Sequence, residues 1–238
     1  MKFLGRLFRS SLGRKYLMAV TGVGLFLFVA GHMAGNLQIF LGPEAINRYA
    51  HFLQGLGDLL WVVRLGLLSL LALHIWSAVT LTLENRAARP VGYQQAQFPG
   101  ASYASRTMIW SGLVIAAFVV FHLLHYTVQT QGVNLTGQDF HTFETTLKNG
   151  TVCHDVFKMM VVGFSNPVVA GFYLVAVSLL CLHLGHGVGA MFQSLGLKDA
   201  VWGPRLDRLA TAAAWVLVAG YASIPLAILL GYGKEALK

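Results

Sequence analysis

Charge is what this chain has least of. Asp, Glu, Lys and Arg make up 11% of its 238 residues, against about 25% in soluble domains. Too few charges are present to cover a soluble surface, and 56% of the residues are hydrophobic. A secreted enzyme, a nucleic-acid binder and a disordered tail are excluded. Cysteine is as scarce, with only Cys153 and Cys181. The two fall at different depths of the apolar pattern, which argues against a disulfide. No C-x-x-C-H sequence is present to attach a haem covalently. Internal repeats and low-complexity stretches are also missing.

Long apolar runs are what the chain has instead. A membrane-spanning helix needs about 20 apolar residues, and five stretches qualify: 16–41, 59–83, 108–130, 166–188 and 209–232. The expected fold is an all-α integral membrane protein, one membrane domain over 1–238, with the first four spans forming a bundle. The first run resembles a signal peptide, but its apolar part, at about 25 residues, is longer than the usual 7–15 and no cleavage pattern follows. Retention as a span is expected. Ahead of it, residues 1–15 place Phe3, Leu4, Leu7, Phe8 and Leu12 on one helical face, with Lys2, Arg6 and Arg9 beside them. Such a basic amphipathic segment suits the membrane interface or a soluble partner.

The few charges carry topology. Lys2, Arg6, Arg9, Arg14 and Lys15 precede the first span. Arg86, Arg89 and Arg106 follow the second, and Lys198, Arg205 and Arg208 follow the fourth. The alternate connections carry Arg48, Arg64, Lys148 and Lys158, and Lys234 and Lys238 end the chain. The positive-inside rule puts the N-terminus in the cytoplasm and the C-terminus outside. The net charge of +8 is therefore a topology signal.

Nine histidines stand out in so apolar a chain. His51, His141 and His154 fall in connections, whereas His32, His74, His122, His125, His183 and His186 fall inside spans. Ionisable residues at membrane depth are costly and usually functional, although any single one can serve as packing glue between helices. At 1.5 Å per residue, His32 lies about 24 Å into its span, His74 about 22 Å, His122 about 21 Å and His183 about 26 Å. Each stands in the far half of its helix, and successive spans run in opposite directions. His32 and His122 therefore share one depth, and His74 and His183 the other. Two histidines facing each other across a bundle can ligate haem iron axially, favouring electron transfer over oxygen binding. His125 and His186, three residues after His122 and His183, share roughly their faces. Either member of each pair can be the ligand, the other bonding a haem propionate or lying at the membrane edge. The deeper members, His122 and His183, are preferred. Gly31 and Gly35 beside His32, and Gly185, Gly187 and Gly189 after His183, suit either a flat macrocycle or close helix packing.

The runs His32-Met33-Ala34-Gly35-Asn36-Leu37, Phe121-His122-Leu123-Leu124-His125 and Gly163-Phe164-Ser165-Asn166-Pro167 resemble the cytochrome b membrane anchor of succinate dehydrogenases and fumarate reductases. The likeness is to the single-subunit, five-helix, two-haem form (the cytochrome b558 type). It implies two haems b, a distal one on His32 and His122 and a proximal one on His74 and His183. It implies the quinone-reactive subunit of respiratory complex II, with a flavoprotein carrying FAD and an iron–sulfur subunit as partners. Menaquinone is the usual electron partner of such anchors, and the bacterial cytoplasmic membrane the expected location. Succinate chemistry itself is not expected in this chain, which has no G-x-G-x-x-G on a strand–helix unit and no cysteine cluster for an iron–sulfur centre. Some family members carry a glutamate two residues before the fourth-span ligand, proposed to move protons. Cys181 stands there in this chain, a poor proton carrier in apolar surroundings.

Glu44, Asn47, Tyr49 and His51, close to the expected distal haem, mark a candidate quinone region, or else a short helix capping the bundle. The long connection 131–165 is expected to shield the bundle end, Pro167 to begin the fourth helix and Pro225 to kink the fifth. A related reading is a di-haem cytochrome b anchoring another dehydrogenase, such as a hydrogenase or formate dehydrogenase. A transporter would show paired broken helices or inverted repeats, and these spans are continuous apart from Pro225.

Overall fold

A computed structural model describes residues 2–88 and 103–237. Arg89 and Lys238 of the charge pattern lie outside the described residues, as do the side chains of Lys2, Phe3, Leu4 and Arg6. In chain order the helices are α1 (Lys2–Arg9), α2 (Ser11–Asn36), α3 (Pro43–Gln54), α4 (Asp58–Ala87), α5 (Tyr103–His122), α6 (Val156–Ser165), α7 (Pro167–Ser194) and α8 (Gly203–Leu229). A 3-10 turn, Leu37–Leu41, extends α2, and a π turn, Leu123–Thr127, extends α5. Five of these segments are long and apolar enough to cross a membrane. The most apolar window of α4 has none of its residues buried, and Trp61, Leu65, Leu68 and Leu83 lie open on it. Apolar surface so continuous, on helices that satisfy their own backbone, belongs in a bilayer. The protein is a multi-pass helical membrane protein.

The helices end where local chemistry ends them. The third span stops being α-helical at His122, short of the expected 130. Val128 N–H bonds Leu123 C=O at 2.7 Å, five residues back, and Gln129 then turns into left-handed backbone at φ 58°, closing the helix. The side-chain oxygen of Asn166 accepts the N–H groups of Val168 and Val169, with Pro167 in the first turn, and starts α7. Pro225 stands inside α8, whose helical run continues to Leu229.

Contacts gather the chain into two units. The first draws on the described residues of Met1–Phe28, Arg64–Leu113 and Cys181–Trp215. In it α2 and α4 run antiparallel, for Arg14 pairs with Glu84 while Gly22 faces His74 and Gly24 faces Leu70. α5 and α7 are likewise antiparallel, with Ser111 at His183 and Met108 at Gly187. Lys198 reaches Asp207 of α8 at 2.5 Å.

The second unit draws on Val29–Val63, Val114–Leu180 and the described part of Val216–Lys238. The connection 131–165 is structured here, and it is not all helical. Strands β1 (Glu144–Thr146) and β2 (Val152–His154) form an antiparallel hairpin with Thr145 opposite Cys153. Helix α6 follows, with every residue from Phe157 to Phe164 except Lys158 buried. Asn47, 1% exposed, ties α3 to α6. Its amide donates to Asp155 Oδ1 at 3.0 Å and its oxygen accepts Phe157 N–H at 2.9 Å. Asp155 also caps α6 by accepting Lys158 N–H. Burial raises the Cys153 thiol pKa, with Asp155 and Glu44 adding to it, and both cysteines are free.

Candidate functional site

In the first unit, His74 and His183 are held in the same way by different helices. Thr21 Oγ1 lies 3.2 Å from His74 Nδ1 and donates its own hydrogen to Leu17 C=O at 2.8 Å. With that hydrogen on the carbonyl, the hydroxyl can face the ring only as an acceptor, an arrangement that pairs with the His74 tautomer protonated on Nδ1. Ser111 Oγ stands 3.2 Å from His183 Nδ1 and donates to Met108 C=O at 3.1 Å. The same arrangement pairs with the His183 tautomer protonated on Nδ1. In those tautomers both rings present Nε2 as a bare lone pair, the arrangement in which a second group orients a metal-binding imidazole. Beside each hydroxyl stands a glycine against the ring. A Cβ on Gly22 would lie 3.5 Å from His74 Cε1, and one on Gly112 3.4 Å from His183 Cε1. His74 and His183 interact electrostatically. His183 feels His186 as well, and His186 lies in turn beside Lys198 and Asp207.

In the second unit, His32 of α2 and His122 of α5 face each other, with ring centroids 5.8 Å apart and planes at 81°. An imidazole nitrogen binds a metal ion at about 2 Å and the ring centre lies about 1 Å beyond, so imidazoles on opposite sides of one ion have centres about 6 Å apart. His32 and His122 stand near that separation and meet edge to face, as His122 also meets Tyr126 and Tyr173. His122 Nδ1 is 3.2 Å from Tyr173 Oη, leaving Nε2 as the nitrogen for a ligand. His32, His74, His122 and His183 are all half-buried, so each keeps ring surface accessible within an apolar span. His125 is different. It is fully buried in the π turn, and its Nδ1 lies 3.0 Å from the same Tyr173 hydroxyl.

The four α3 residues have separate surroundings. Glu44 pairs with Arg48 at 2.6 Å and accepts Lys148 N–H, and the Arg48 hydrogen bond chiefly holds its carboxyl below the ordinary range. Asn47 is the α3–α6 tie. Tyr49 lies against Gly35, where a Cβ would come within 2.7 Å of its ring. His51 is exposed. Of the other glycines, Gly185 faces Ala214, Gly187 faces Met108 and Gly189 faces Asp207 and Lys198, which is helix packing, while Gly31 faces open space.

Thr21, Ser111 and Tyr173 are functional candidates that sequence reasoning missed, although one signal was present. Thr21-Gly22 and Ser111-Gly112 each stand eleven residues ahead of a span histidine, His32 and His122. The first and third spans thus share one pattern of hydroxyl, glycine and histidine. Among the described residues no three His, Cys, Asp or Glu side chains come together as a metal site. A haem held between two imidazoles draws only two ligands from the protein, so the donor set fits that group. Compared with family models, curated proteins and solved structures, the chain matches none. Among the described residues, fold and site define a multi-pass helical membrane protein with five helices long and apolar enough to span and with histidines on four of them.

Proposed function

We propose that this chain is the di-haem cytochrome b anchor of a succinate:quinone oxidoreductase, passing electrons between an iron–sulfur subunit and a membrane quinone such as menaquinone. The observation that carries the reading is the histidine pairing: His32 against His122 at 5.8 Å, and His74 and His183 with matched hydroxyl partners. His32 and His122 hold one haem b, and His74 and His183 the other. Haem b, held by the two imidazoles of each pair, would supply a one-electron iron couple. The protein's own work is orientation and exclusion of water. Thr21 and Ser111 fix the tautomer of their rings, Gly22 and Gly112 leave room beside them, and the apolar spans keep the sites dry.

Charge placement orients the chain with its N-terminus in the cytoplasm, which sets His74 and His183 on the side of the iron–sulfur subunit and His32 and His122 on the outer side. Choice of the succinate complex over another dehydrogenase rests on the resemblance of the three sequence runs. Purification of the tagged chain from native membranes tests it. An FAD-containing flavoprotein and an iron–sulfur subunit are expected to copurify, with succinate-dependent quinone reduction. A hydrogenase or formate dehydrogenase in their place would contradict the succinate assignment while leaving the two haems intact.

A further inference from the structure

The second unit contains a hydrogen-bonded chain that axial ligation by itself does not explain. Tyr173 Oη stands between two histidines, 3.2 Å from His122 Nδ1 and 3.0 Å from His125 Nδ1. A phenol has one hydrogen and donates it to one ring; the other ring must then donate its own N–H to the phenol oxygen. The two histidines are thereby set in opposite tautomers. His122, which keeps Nε2 for a ligand in the proposed function, is then the Nδ1–H donor and His125 the acceptor. The hydrogen of His125 then sits on Nε2. That atom and Tyr126 Oη are both buried without a protein partner. Both lie beside Gly163, where a Cβ would stand 2.6 Å from Tyr126 Oη and 3.3 Å from His125 Nε2. Buried polar atoms are satisfied by protein or by ordered water, and an internal water needs about two to four polar partners.

We propose that Tyr173 is a positioning residue that locks His122 with Nδ1 protonated and Nε2 bare, that His125 supports it from behind in the opposite tautomer, and that one internal water joins His125 Nε2–H to Tyr126 Oη. His125 thereby becomes the support of His122 and not its substitute, since its free nitrogen faces Gly163 of α6. The direction of the chain agrees with axial ligation by His122 and to that extent rests on the proposed function. The opposition of tautomers follows from the single phenol hydrogen alone.

Nitrogen-15 NMR on histidine-labelled, full-length protein, kept reduced so that low-spin iron is diamagnetic, reads the tautomers directly. His125→Gln serves to assign its resonances. Expected are an Nδ1–H signal for His122 and an Nε2–H signal for His125. Tyr173→Phe is expected to release both rings from that fixed opposition and to shift the midpoint potential of one haem. Tyr126→Phe should move the His125 Nε2 resonance and leave that of His122 in place. Like tautomers in the unsubstituted protein, or indifference of both rings to Tyr173→Phe, would overturn the relay. An unmoved His125 resonance in Tyr126→Phe would overturn the water bridge. If the protein carries no haem yet has opposite tautomers, the relay stands and the haem reading alone fails.

Discussion

Two hydroxyls decide what two histidines can do. A neutral imidazole offers one lone pair, and its usefulness as a ligand depends on which nitrogen holds the proton. Thr21 and Ser111 each spend their hydrogen on a backbone carbonyl and so meet their histidines as acceptors. Thr21→Val keeps the shape and removes the acceptor. It is expected to weaken haem binding at His74 and His183 by about 10–100-fold, the usual effect of losing such a second group, with His32 and His122 unaffected. Thr21→Ser should restore binding. Haem titration of the purified variants checks this, and equal affinity in Thr21→Val and the unsubstituted protein would refute the role. None of this could be read from the histidine spacing, which locates ligands by depth but is silent on their partners. The partner lies 53 residues away for His74 and 72 for His183, and only the antiparallel packing brings each pair together.

At the scale of elements, the spans were legible and their ends were not. Apolar runs locate five helices because lipid demands them, but a helix continues past its apolar stretch wherever good formers follow. Thus α7 extends to Ser194, past the expected end at 188. The π turn after His122 left no mark in the apolar pattern, yet it sets how His125 and His122 reach one phenol. Helix α6 was readable in part, for an apolar run preceded by Asp155 has the form of a capped helix. Treating 131–165 as a shielding loop hid it. The motifs that carry the family resemblance also have structural duties of their own. Asn36 donates to His32 C=O at 2.7 Å, Gly35 accommodates Tyr49, and Asn166-Pro167 starts a helix.

The hairpin before α6 makes a prediction at the same scale. Burial, above all, holds the His154 ring below its ordinary value of about 6.5. A hydrogen bond with the Phe143 backbone and the charges of Asp155 and Glu144 act the other way, and His141 adds to the lowering. The folded hairpin therefore refuses a proton that the opened segment takes up. Stability is full above about pH 6.5 and is lost as pH falls below it, because the open state then binds more protons. Amide exchange at Thr145 and Cys153, corrected for intrinsic rates, should reveal weaker protection at about pH 5 than at about pH 7.5. His154→Gln should abolish the difference. A pH dependence that survives in that variant would place its origin elsewhere.

For the molecule as a whole, the scarcity of charge and the surplus of histidine have one explanation. Polar groups in the spans find partners inside the protein: Arg14 pairs with Glu84, Thr21 stands at His74, Ser111 at His183, and Tyr221 donates to the Val29 carbonyl at 2.7 Å. His32 on α2, His74 on α4, His122 on α5 and His183 on α7 are half-buried and fall two in each unit. The central claim is that they hold two haems b. A reduced-minus-oxidised spectrum of the purified chain, with a pyridine haemochrome count against protein, tests it most directly. The account predicts two haems b per chain, one lost on replacing His74 or His183 and the other on replacing His32 or His122. A count of zero would contradict it outright, and a count of one would mean that one of the two pairs does not bind haem.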